Sequence, residues 1–375
     1  MTIETITPPV WVEDTNALKQ MVEELSTQPR IAVDTESNSL HAYRERVCLI
    51  QFSGDKKDYL VDPLAIDDLS LLAPLFADPK IEKIFHAAEY DLICLSRDFG
   101  FKFSNLFDTM QAARILGYKY VGLDNLLSEK FDVKVDKRHQ KANWGARPLS
   151  SAQLDYARMD THYLGALRDM LENELHEMGR WELAQDDFKL ATNVDVPKEK
   201  MNGSAWKRFS TRKGVTPREL TILSELTRCR DEIAEKMDRP PFKVITNNTL
   251  LDIAKNLPEK DVDLAGLGLS QKQIQLWGSD VLKAAKRGAG APLVKKEQAK
   301  RPSDAVVKRI EKLKTWRKKT AEGIKVESDI ILPKKYLGIL SENPPGNIDE
   351  LKSLMHESPN RYKKYGEQIY SLIGG

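Results

Sequence analysis

Hydrophobic positions in the first half of the chain follow two spacings, that of a strand and that of a helix. Apolar residues within 17–25 recur at helical spacing. Short apolar runs bounded by polar or breaking residues predict four strands, at Ile31–Asp34, Val47–Phe52, Tyr59–Val61 and Lys83–His86. Further helical patterns lie at Leu69–Phe76, Tyr90–Phe99, Thr109–Leu116, Leu123–Lys130 and Ser151–Met178. Strands first, with helices between and after them, predict a mixed sheet covered by helices, an α/β domain.

The second half of the chain is polar at first and then helical throughout. Residues 193–215 contain prolines, glycines and lysines and predict a linker. Beyond it, Leu226–Arg230 resembles Leu313–Arg317, and matching positions continue without a gap to Pro258 and Pro345. Such a long period predicts two copies of a small helical domain. We therefore predict domains at 1–192, 216–290 and 303–375, with linkers at 193–215 and 291–302.

The composition is that of a globular protein, with 41% hydrophobic and 30% charged residues among 375. Its apolar runs fall far short of the roughly 20 residues that cross a bilayer. Met1–Asp14 has no signal-peptide pattern. Cys48, Cys94 and Cys229 are too far apart for a zinc or redox motif, which favours small core residues in a reducing compartment. We expect a cytoplasmic protein without a membrane partner.

The net charge of +2 conceals an asymmetry between the two halves. Residues 1–192 contain 22 Lys and Arg against 32 Asp and Glu, and residues 193–375 contain 36 against 24. Lys283–Lys319 alone holds 14 basic and three acidic residues. Such a run would neutralise nucleic-acid phosphates and make binding salt-dependent, although a solvated tether has the same composition.

Two carboxylates follow the first predicted strand. Asp34 and Glu36 are two apart, so they share one face at the strand end. Carboxylates that point the same way repel each other unless a cation or protons lie between them. An acidic strand end in water is the alternative, and additional converging carboxylates would decide the matter.

Two further acids stand at helix positions. Asp91 falls in the first turn of a helix that follows a strand, where dipole capping is an alternative explanation. Asp160 lies one turn after Tyr156 on the same helix face. Ser150 and Gln153 predict a capping box at the start of that helix, and Tyr163 is expected to extend its face as a packing residue.

Four carboxylates without a Cys/His cluster favour Mg²⁺ or Mn²⁺ over zinc. Two such ions about 4 Å apart clamp a phosphodiester, one activating water and the other stabilising the leaving oxygen. Asp34 would bridge both ions. Tyr156, with an ordinary pKa near 10, is a poor base, and its hydroxyl would position the attacking water.

These motifs resemble the DEDD exonuclease superfamily. Asp34-Thr-Glu36, then His86-(X)4-Asp91 and Tyr156-(X)3-Asp160, are similar to its tyrosine branch, because the histidine branch would have His where this chain has Asp155. Other segments are similar to the ribonuclease D family over about residues 25–180: Cys48–Phe52, Phe107–Thr109, Trp144–Leu149 and Tyr156–Asp160. The two repeats resemble HRDC domains, which are associated with nucleic-acid binding. The second is more divergent, with Gly323 and Lys325 replacing Lys236 and Asp238.

The resemblance implies a ribonuclease H-like mixed sheet flanked by helices, followed by two all-α helical bundles. It implies a two-metal-ion 3′→5′ exoribonuclease that releases nucleoside 5′-monophosphates from structured RNA 3′ ends, such as tRNA precursors. It also implies that Gln51, His86, Asp108 and Arg147 hold the terminal nucleotide or support the ligands. A structural role is open for each of the four, and for three of them it can be named: Asp108 as a helix cap, Arg147 in an ion pair, and His86 in the core.

Two other functions stay open at this point. A 3′→5′ DNA exonuclease of proofreading or Werner type would have the same ligands, because RNA is distinguished by contacts to its 2′-hydroxyl. A non-catalytic nucleic-acid-binding scaffold is the other alternative, and the intact set of five residues argues against it. The chain has no Gly-X4-Gly-Lys-Ser/Thr loop, so we expect no ATP. We expect a monomer.

Overall fold

The structure, a computed structural model, describes residues 7–196, 204–295 and 302–374. These residues divide into two compact units. The first lies within Met1–Ser37, Val47–Val196 and Arg301–Gly375, and the second within Asn38–Arg46 and Pro197–Lys300. Within the described ranges, no helix combines the length and the apolar composition that crossing a bilayer requires.

The first unit contains a six-stranded mixed sheet. Its strands are β1 (Val10–Val12), β2 (Arg30–Ser37), β3 (Val47–Ser53), β4 (Asp58–Val61), β5 (Glu82–Phe85) and β6 (Leu106–Asp108). The order is β1-β4-β3-β2-β5-β6, with β2, β3 and β4 antiparallel and the remaining pairs parallel. The predicted mixed sheet is confirmed, and the four predicted strands are its four central members. The short outer strands β1 and β6 were not predicted.

Helices cover both faces of this sheet. They are α1 (Thr15–Leu25), α2 (Leu72–Ala77), α3 (Glu89–Phe99), α4 (Thr109–Leu116), α5 (Leu123–Phe131), α6 (Ser151–His162), α7 (Leu164–Glu177) and α8 (Trp181–Ala191). Because side chains alternate along β2, Ile31 and Val33 pack with α1–α3, whereas Ala32 packs with α4, α7 and α8 on the other face. The capping box of Ser150 and Gln153 at the start of α6 is confirmed.

The prediction of one helix over Ser151–Met178 is wrong, because the chain breaks at Tyr163 between α6 and α7. The last two side chains of α6 are anchored to the sheet. Thr161 hydrogen-bonds with Ser53 at 2.7 Å, and His162 with Asp58 at 2.8 Å. The helix therefore ends against β3 and β4, and α7 begins at Leu164. Tyr163 packs on Phe131, with 5.4 Å between ring centroids, as expected of a packing residue.

The second unit contains the first helical copy: α9 (Pro217–Lys236), α10 (Pro241–Val244), α11 (Asn247–Asn256), α12 (Asp261–Gly266) and α13 (Gln271–Gly290). A 3-10 helix at Ala205–Phe209 precedes them, and its Phe209 is fully buried in their core. The part of the predicted linker 193–215 that forms this 3-10 helix therefore packs against the first helical copy. Residues 197–203 of the same linker lie outside the described residues. The predicted linker 291–302 also lies partly outside them, at 296–301.

The second copy is α14 (Asp304–Ile324), α15 (Ser328–Ile331), α16 (Lys334–Glu342), α17 (Ile348–Leu354) and α18 (Pro359–Ile373). Its first four helices start 87 residues after their counterparts, as the sequence repeat predicts. Buried contacts also repeat. Arg230 donates to the carbonyl of Ile245, and Arg317, 87 residues later, donates to that of Leu332. Two similar helical bundles are thus confirmed.

The second copy belongs to the same compact unit as the sheet and shares one core with α4, α7 and α8. Arg361 of α18 is fully buried and pairs with Asp187 of α8 at 2.8 Å. Arg180 bridges the carbonyls of Ile115 and Ile324. Gly117 has φ +86°, and a Cβ there would lie 2.4 Å from the Lys325 carbonyl. The second copy therefore packs as part of the sheet domain, and the domain boundaries drawn from sequence stay predictions.

Candidate active site

The central strand β2 positions the first two carboxylates. Asp34 lies opposite Gln51 of β3, and Glu36 lies opposite Leu49, with the regular register ending between Glu36 and Ser37. Alternation places Asp34 and Glu36 on the same side as Ala32, away from α1–α3. Both line a cavity of about 360 Å³. The shared face predicted from the Asp-X-Glu spacing is therefore present.

A tight turn between β5 and α3 brings in the third carboxylate. Ala87 in this turn has φ 64°, and the Asp108 carboxylate accepts hydrogen bonds from the amides of Ala87 and Ala88 at 3.1 and 2.9 Å. The helix then begins at Glu89, so Asp91 occupies its first turn and is buried. The Thr35 hydroxyl donates a hydrogen bond to the Asp91 carboxylate. Asp91 is thereby held against the central strand.

Helix α6 contributes the fourth carboxylate and the tyrosine. Tyr156 and Asp160 both line the cavity, as their four-residue spacing predicts. The Tyr156 ring packs against Trp144 and His139, with centroid distances of 6.0 and 6.1 Å. The anchoring of Thr161 on Ser53 fixes the end of the helix next to Asp160. Packing therefore holds both side chains toward the carboxylates of β2.

The carboxylates raise one another's affinity for protons. Burial, and then the charges of Asp34, Asp160 and Asp91, raise the pKa of Glu36 to about 10. Burial, and then Asp91, raise the pKa of Asp160 to about 7. Burial also raises the pKa of Asp34 and of Asp91 well above the ordinary value, with a further rise from Asp160 and Asp34 respectively. Such a cluster is stabilised by positive charge among its oxygens.

Two further titratable groups of the site, Tyr156 and His86, stay neutral. Burial, and then the carboxylates of Asp160, Glu36 and Asp34, raise the pKa of the Tyr156 hydroxyl, which therefore keeps its proton. Burial lowers the pKa of His86, against the opposing pull of Asp108 and Asp124. The Nδ1 atom of His86 hydrogen-bonds with the Thr109 hydroxyl at 2.9 Å. A protonated tyrosine can orient a water molecule but cannot act as a base.

The donor chemistry of the site fits a hard divalent cation, because all four acidic ligands are oxygens. The carboxylates are not yet close enough to one another to coordinate an ion. In the part of the chain that is described, no three His, Cys, Asp or Glu side chains converge closely enough to hold one metal ion. Oδ1 of Asp91 accepts the hydrogen bond from the Thr35 hydroxyl. Cation binding would require these side chains to move together.

The four residues expected to support substrate or ligands differ in their surroundings. Gln51 is fully buried opposite Asp34, and its amide has no hydrogen-bond partner among the described residues. His86 lines the cavity. Asp108 caps α4 and holds the Ala87 turn. Arg147 forms a bidentate ion pair with Asp62, at 2.6 Å for each bond. The contacts of Asp108 and Arg147 support their structural alternatives, and a direct substrate role for either stays a prediction.

The cavity also has a basic side that sequence reasoning missed. Lys137 and Gln140 line it from the 3-10 helix Lys137–His139 and the residue that follows. Lys137 pairs with Asp124 at 2.7 Å. The signal available in the sequence was Lys137-Arg138-His139, a basic cluster within the acidic half of the chain.

Comparison with known proteins supplies the wider context. A family described as 3′-5′ exonuclease matches residues 9–176, and HRDC domains match residues 219–284 and 307–373. Ribonuclease D of Pseudomonas paraeruginosa is 31% identical over 258 residues, covering 68% of this chain and 68% of that protein. The crystal structure of Escherichia coli RNase D, titled an exoribonuclease involved in structured RNA processing, superposes with a TM-score of 0.69 at 25% identity, covering 96% of this chain and all of that one.

Longer relatives match over a part of their length. Protein RRP6-like 1 of Arabidopsis thaliana is 36% identical over 265 residues, which is 67% of this chain and 41% of that protein. This chain spans about two fifths or less of the RRP6-type relatives that it matches.

The fold, the site and these matches define a 3′-5′ exonuclease domain combined with two HRDC domains. The chain belongs to the ribonuclease D family. The fold and the family expected from the sequence motifs are therefore confirmed.

Proposed function

We propose that this protein is a 3′→5′ exoribonuclease that hydrolyses phosphodiester bonds at RNA 3′ ends and releases nucleoside 5′-monophosphates. The observation that carries the proposal is the arrangement of Asp34, Glu36, Asp160 and Tyr156 around one cavity, with Asp91 behind them. The motif order and the family membership support the same chemistry.

The four carboxylates would hold divalent cations, Mg²⁺ or Mn²⁺. When bound, such ions lower the pKa of the attacking water and neutralise charge on the phosphate. Asp34, whose charge raises the pKa of both Glu36 and Asp91, would be a ligand of these ions. Asp91, whose Oδ1 atom accepts the hydrogen bond from Thr35, would join the set through its other oxygen. The Tyr156 hydroxyl, which keeps its proton, would orient the attacking water by a hydrogen bond.

The size of the cavity favours attack at a chain end. Its volume of about 360 Å³ is at the small end of the range of roughly 300–1,000 Å³ for small-molecule pockets. It therefore suits a single terminal nucleotide. His86 and the Lys137 ammonium on its wall would contact the sugar-phosphate of that nucleotide.

The helical domains favour a nucleic-acid chain as the substrate. Helix α14 presents exposed lysines, including Lys308, Lys318 and Lys319, and α13 ends with exposed Lys286 and Arg287. Such surfaces bind phosphates without reading sequence. Structured RNA 3′ ends, tRNA precursors among them, are the substrates that we propose.

Matched RNA and DNA oligonucleotides test this function directly. Each is labelled at its 5′ end and incubated with the purified full chain and Mg²⁺. We expect a ladder that shortens from the 3′ end of RNA, with 5′-monophosphates as products, and no reaction in EDTA. Equal or faster trimming of DNA would support the DNA exonuclease instead. Binding without trimming of either would support the non-catalytic scaffold.

A further inference from the structure

Arg147 uses its whole guanidinium group within the protein. An arginine side chain has five N–H donors. The Nε and Nη2 atoms of Arg147 donate to the two carboxylate oxygens of Asp62, at 2.6 Å each. Nη2 also donates to the Cys48 carbonyl at 2.7 Å, and Nη1 donates to the carbonyls of Trp144 and Ala146, both at 2.8 Å. Because all five donors have protein acceptors, binding a substrate phosphate would require one of these bonds to break.

The side-chain bonds of Arg147 connect a short segment before α6, residues 144–148, to the sheet. Asp62 directly follows β4, and its amide donates to the Val12 carbonyl of β1 at 2.8 Å. Asp62 is itself buried. Cys48 is a buried residue of β3. The 144–148 segment is therefore fastened to rigid parts of the sheet, although it has no regular structure of its own.

The 144–148 segment places the Trp144 ring against Tyr156. Trp144 is almost fully buried in a cluster with residues of β3, β4 and α6, and its ring centroid lies 6.0 Å from that of Tyr156. The indole Nε1 has no hydrogen-bond partner among the described residues. Packing and the backbone therefore set the position of this ring, and Arg147 holds that backbone at the Trp144 carbonyl.

We infer that Arg147 is a positioning residue for Tyr156. It holds the Trp144 ring in place, and that ring, together with His139 at 6.1 Å, supports the Tyr156 ring whose hydroxyl reaches the cavity. A hydroxyl that orients water is sensitive to such support, because a displacement of about 1 Å can slow a reaction about hundredfold. The inference rests on the proposed function, since it depends on the part that Tyr156 has in turnover.

A double-mutant cycle with Tyr156→Phe tests whether Arg147 acts through Tyr156. Arg147→Gln removes the two-pronged pair with Asp62, and Arg147→Lys keeps the charge without the planar fork. Trp144→Ala removes the supporting ring, and Trp144→Phe keeps an aromatic ring at that position. Each change is made in the wild type and in Tyr156→Phe, and kcat and KM are measured on one 5′-labelled RNA.

Arg168→Gln is the matched control. Arg168 of α7 also forms a two-bond pair with a carboxylate of the sheet, that of Glu82 in β5, at 2.6 and 3.0 Å. The pair spans 86 residues, against 85 for Arg147 and Asp62. Arg168 is not among the residues that line the catalytic cavity. Its loss should therefore lower stability and leave the kcat of the folded protein unchanged.

We expect Arg147→Gln and Trp144→Ala to lower kcat about tenfold in the wild type, with KM within about twofold. In Tyr156→Phe the same changes should lower kcat by less than about twofold, because the hydroxyl that they position is absent. Trp144→Phe should keep the wild-type kcat. Arg147→Lys should lower kcat at least about threefold, again only where the Tyr156 hydroxyl is present, and it decides the matter if Arg147→Gln fails to fold.

Losses of kcat that are equal with and without the Tyr156 hydroxyl overturn the inference. A rise in KM with both backgrounds would assign Arg147 to the substrate instead, and would overturn it as well.

Fluorine NMR supplies a readout that does not depend on catalysis. In protein labelled with 3-fluorotyrosine and kept free of metal, the resonance that disappears in Tyr156→Phe belongs to Tyr156. We expect Arg147→Gln and Arg147→Lys to shift or broaden this resonance and Arg168→Gln to leave it unchanged. An unchanged resonance in both Arg147 variants overturns the inference. A wild type that is inert on every RNA and DNA overturns the proposed function, whereas the resonance still decides whether Arg147 holds the Tyr156 ring.

Discussion

Thr35 donates its hydroxyl hydrogen to the carboxylate of Asp91 and so joins the central strand to the first turn of α3. Thr35 faces the α3 side of the sheet, opposite to Asp34 and Glu36, because side chains alternate along β2. The hydrogen bond partly offsets the rise in the pKa of Asp91 that burial and Asp34 cause. A residue between two proposed metal ligands thus positions a third.

Replacing Thr35 tests this contact. Thr35→Val keeps the side-chain shape and removes the donor, so Asp91 loses a partner while it stays buried. We expect the Mg²⁺ concentration for half-maximal activity to rise about tenfold, the equivalent of one charge-assisted hydrogen bond. Thr35→Ser should restore the wild-type value. The same Mg²⁺ requirement in all three proteins would remove the positioning role.

The stability of the metal-free protein should depend on pH through Asp160. Its pKa is about 7 in the folded protein against an ordinary 3.8, so the folded state binds this proton more tightly than the unfolded chain does. The resulting stabilisation is complete below the unfolded pKa and is lost as the pH rises through about 7. In EDTA, the Tm of the wild type should therefore fall more between about pH 5 and 8 than that of Asp160→Asn.

Asp155→Asn, which alters an exposed carboxylate on the same helix, is the matched control for this measurement. Its Tm should follow that of the wild type across the pH range. Parallel curves for the wild type and Asp160→Asn would show that the protonation of Asp160 is not linked to folding.

The Tyr156 hydroxyl should matter for turnover more than for binding. We expect Tyr156→Phe to lower kcat by about tenfold to hundredfold, the lower part of the range for a group that orients a reacting proton, and to leave the Kd for RNA within about twofold. Tyr163→Phe makes the same chemical change on a ring that packs against Phe131 and should leave kcat unchanged. Equal kcat in Tyr156→Phe and the wild type would exclude the assigned role.

Arg361 should be a major determinant of stability. Arg361→Met would leave Asp187 without its 2.8 Å partner and remove the donors to the Ile330 and Leu183 carbonyls. Breaking a buried pair in this way typically lowers the free energy of unfolding by about 3–5 kcal/mol. Urea denaturation should show this loss. Lys335→Met breaks the exposed pair with Glu357 and should cost about 1 kcal/mol or less. Equal losses would contradict the view that the second HRDC domain packs as part of the sheet domain.

Local patterns were sufficient to predict the parts of the site that lie on regular elements. Asp34 and Glu36 share a face because strand alternation fixes it, and Tyr156 and Asp160 share one because helical periodicity does. The surroundings of Asp108 and Arg147 depend on partners that no local pattern identifies. Asp108 holds a turn 21 residues earlier in the chain, and the ion pair of Arg147 spans 85 residues.

The same distinction applies to the fold. The 87-residue repeat predicted two helical bundles because each copy retains its own helix starts. The association of the second bundle with the sheet domain depends on single residues such as Arg361, whose partner belongs to a distant segment. The break at Tyr163 was missed for a related reason, because it follows from the anchoring of Thr161 and His162 on the sheet.

The central claim is that Asp34 and its neighbouring carboxylates carry out metal-dependent removal of nucleotides from RNA 3′ ends. The most direct measurement is the trimming rate of one 5′-labelled RNA by the wild type and by Asp34→Asn across a Mg²⁺ titration, with RNA binding measured in parallel. We predict that Asp34→Asn binds the RNA normally and trims at least about 10³-fold more slowly at every Mg²⁺ concentration. Trimming by Asp34→Asn at the wild-type rate, or Mg²⁺-independent trimming by the wild type, would contradict the claim.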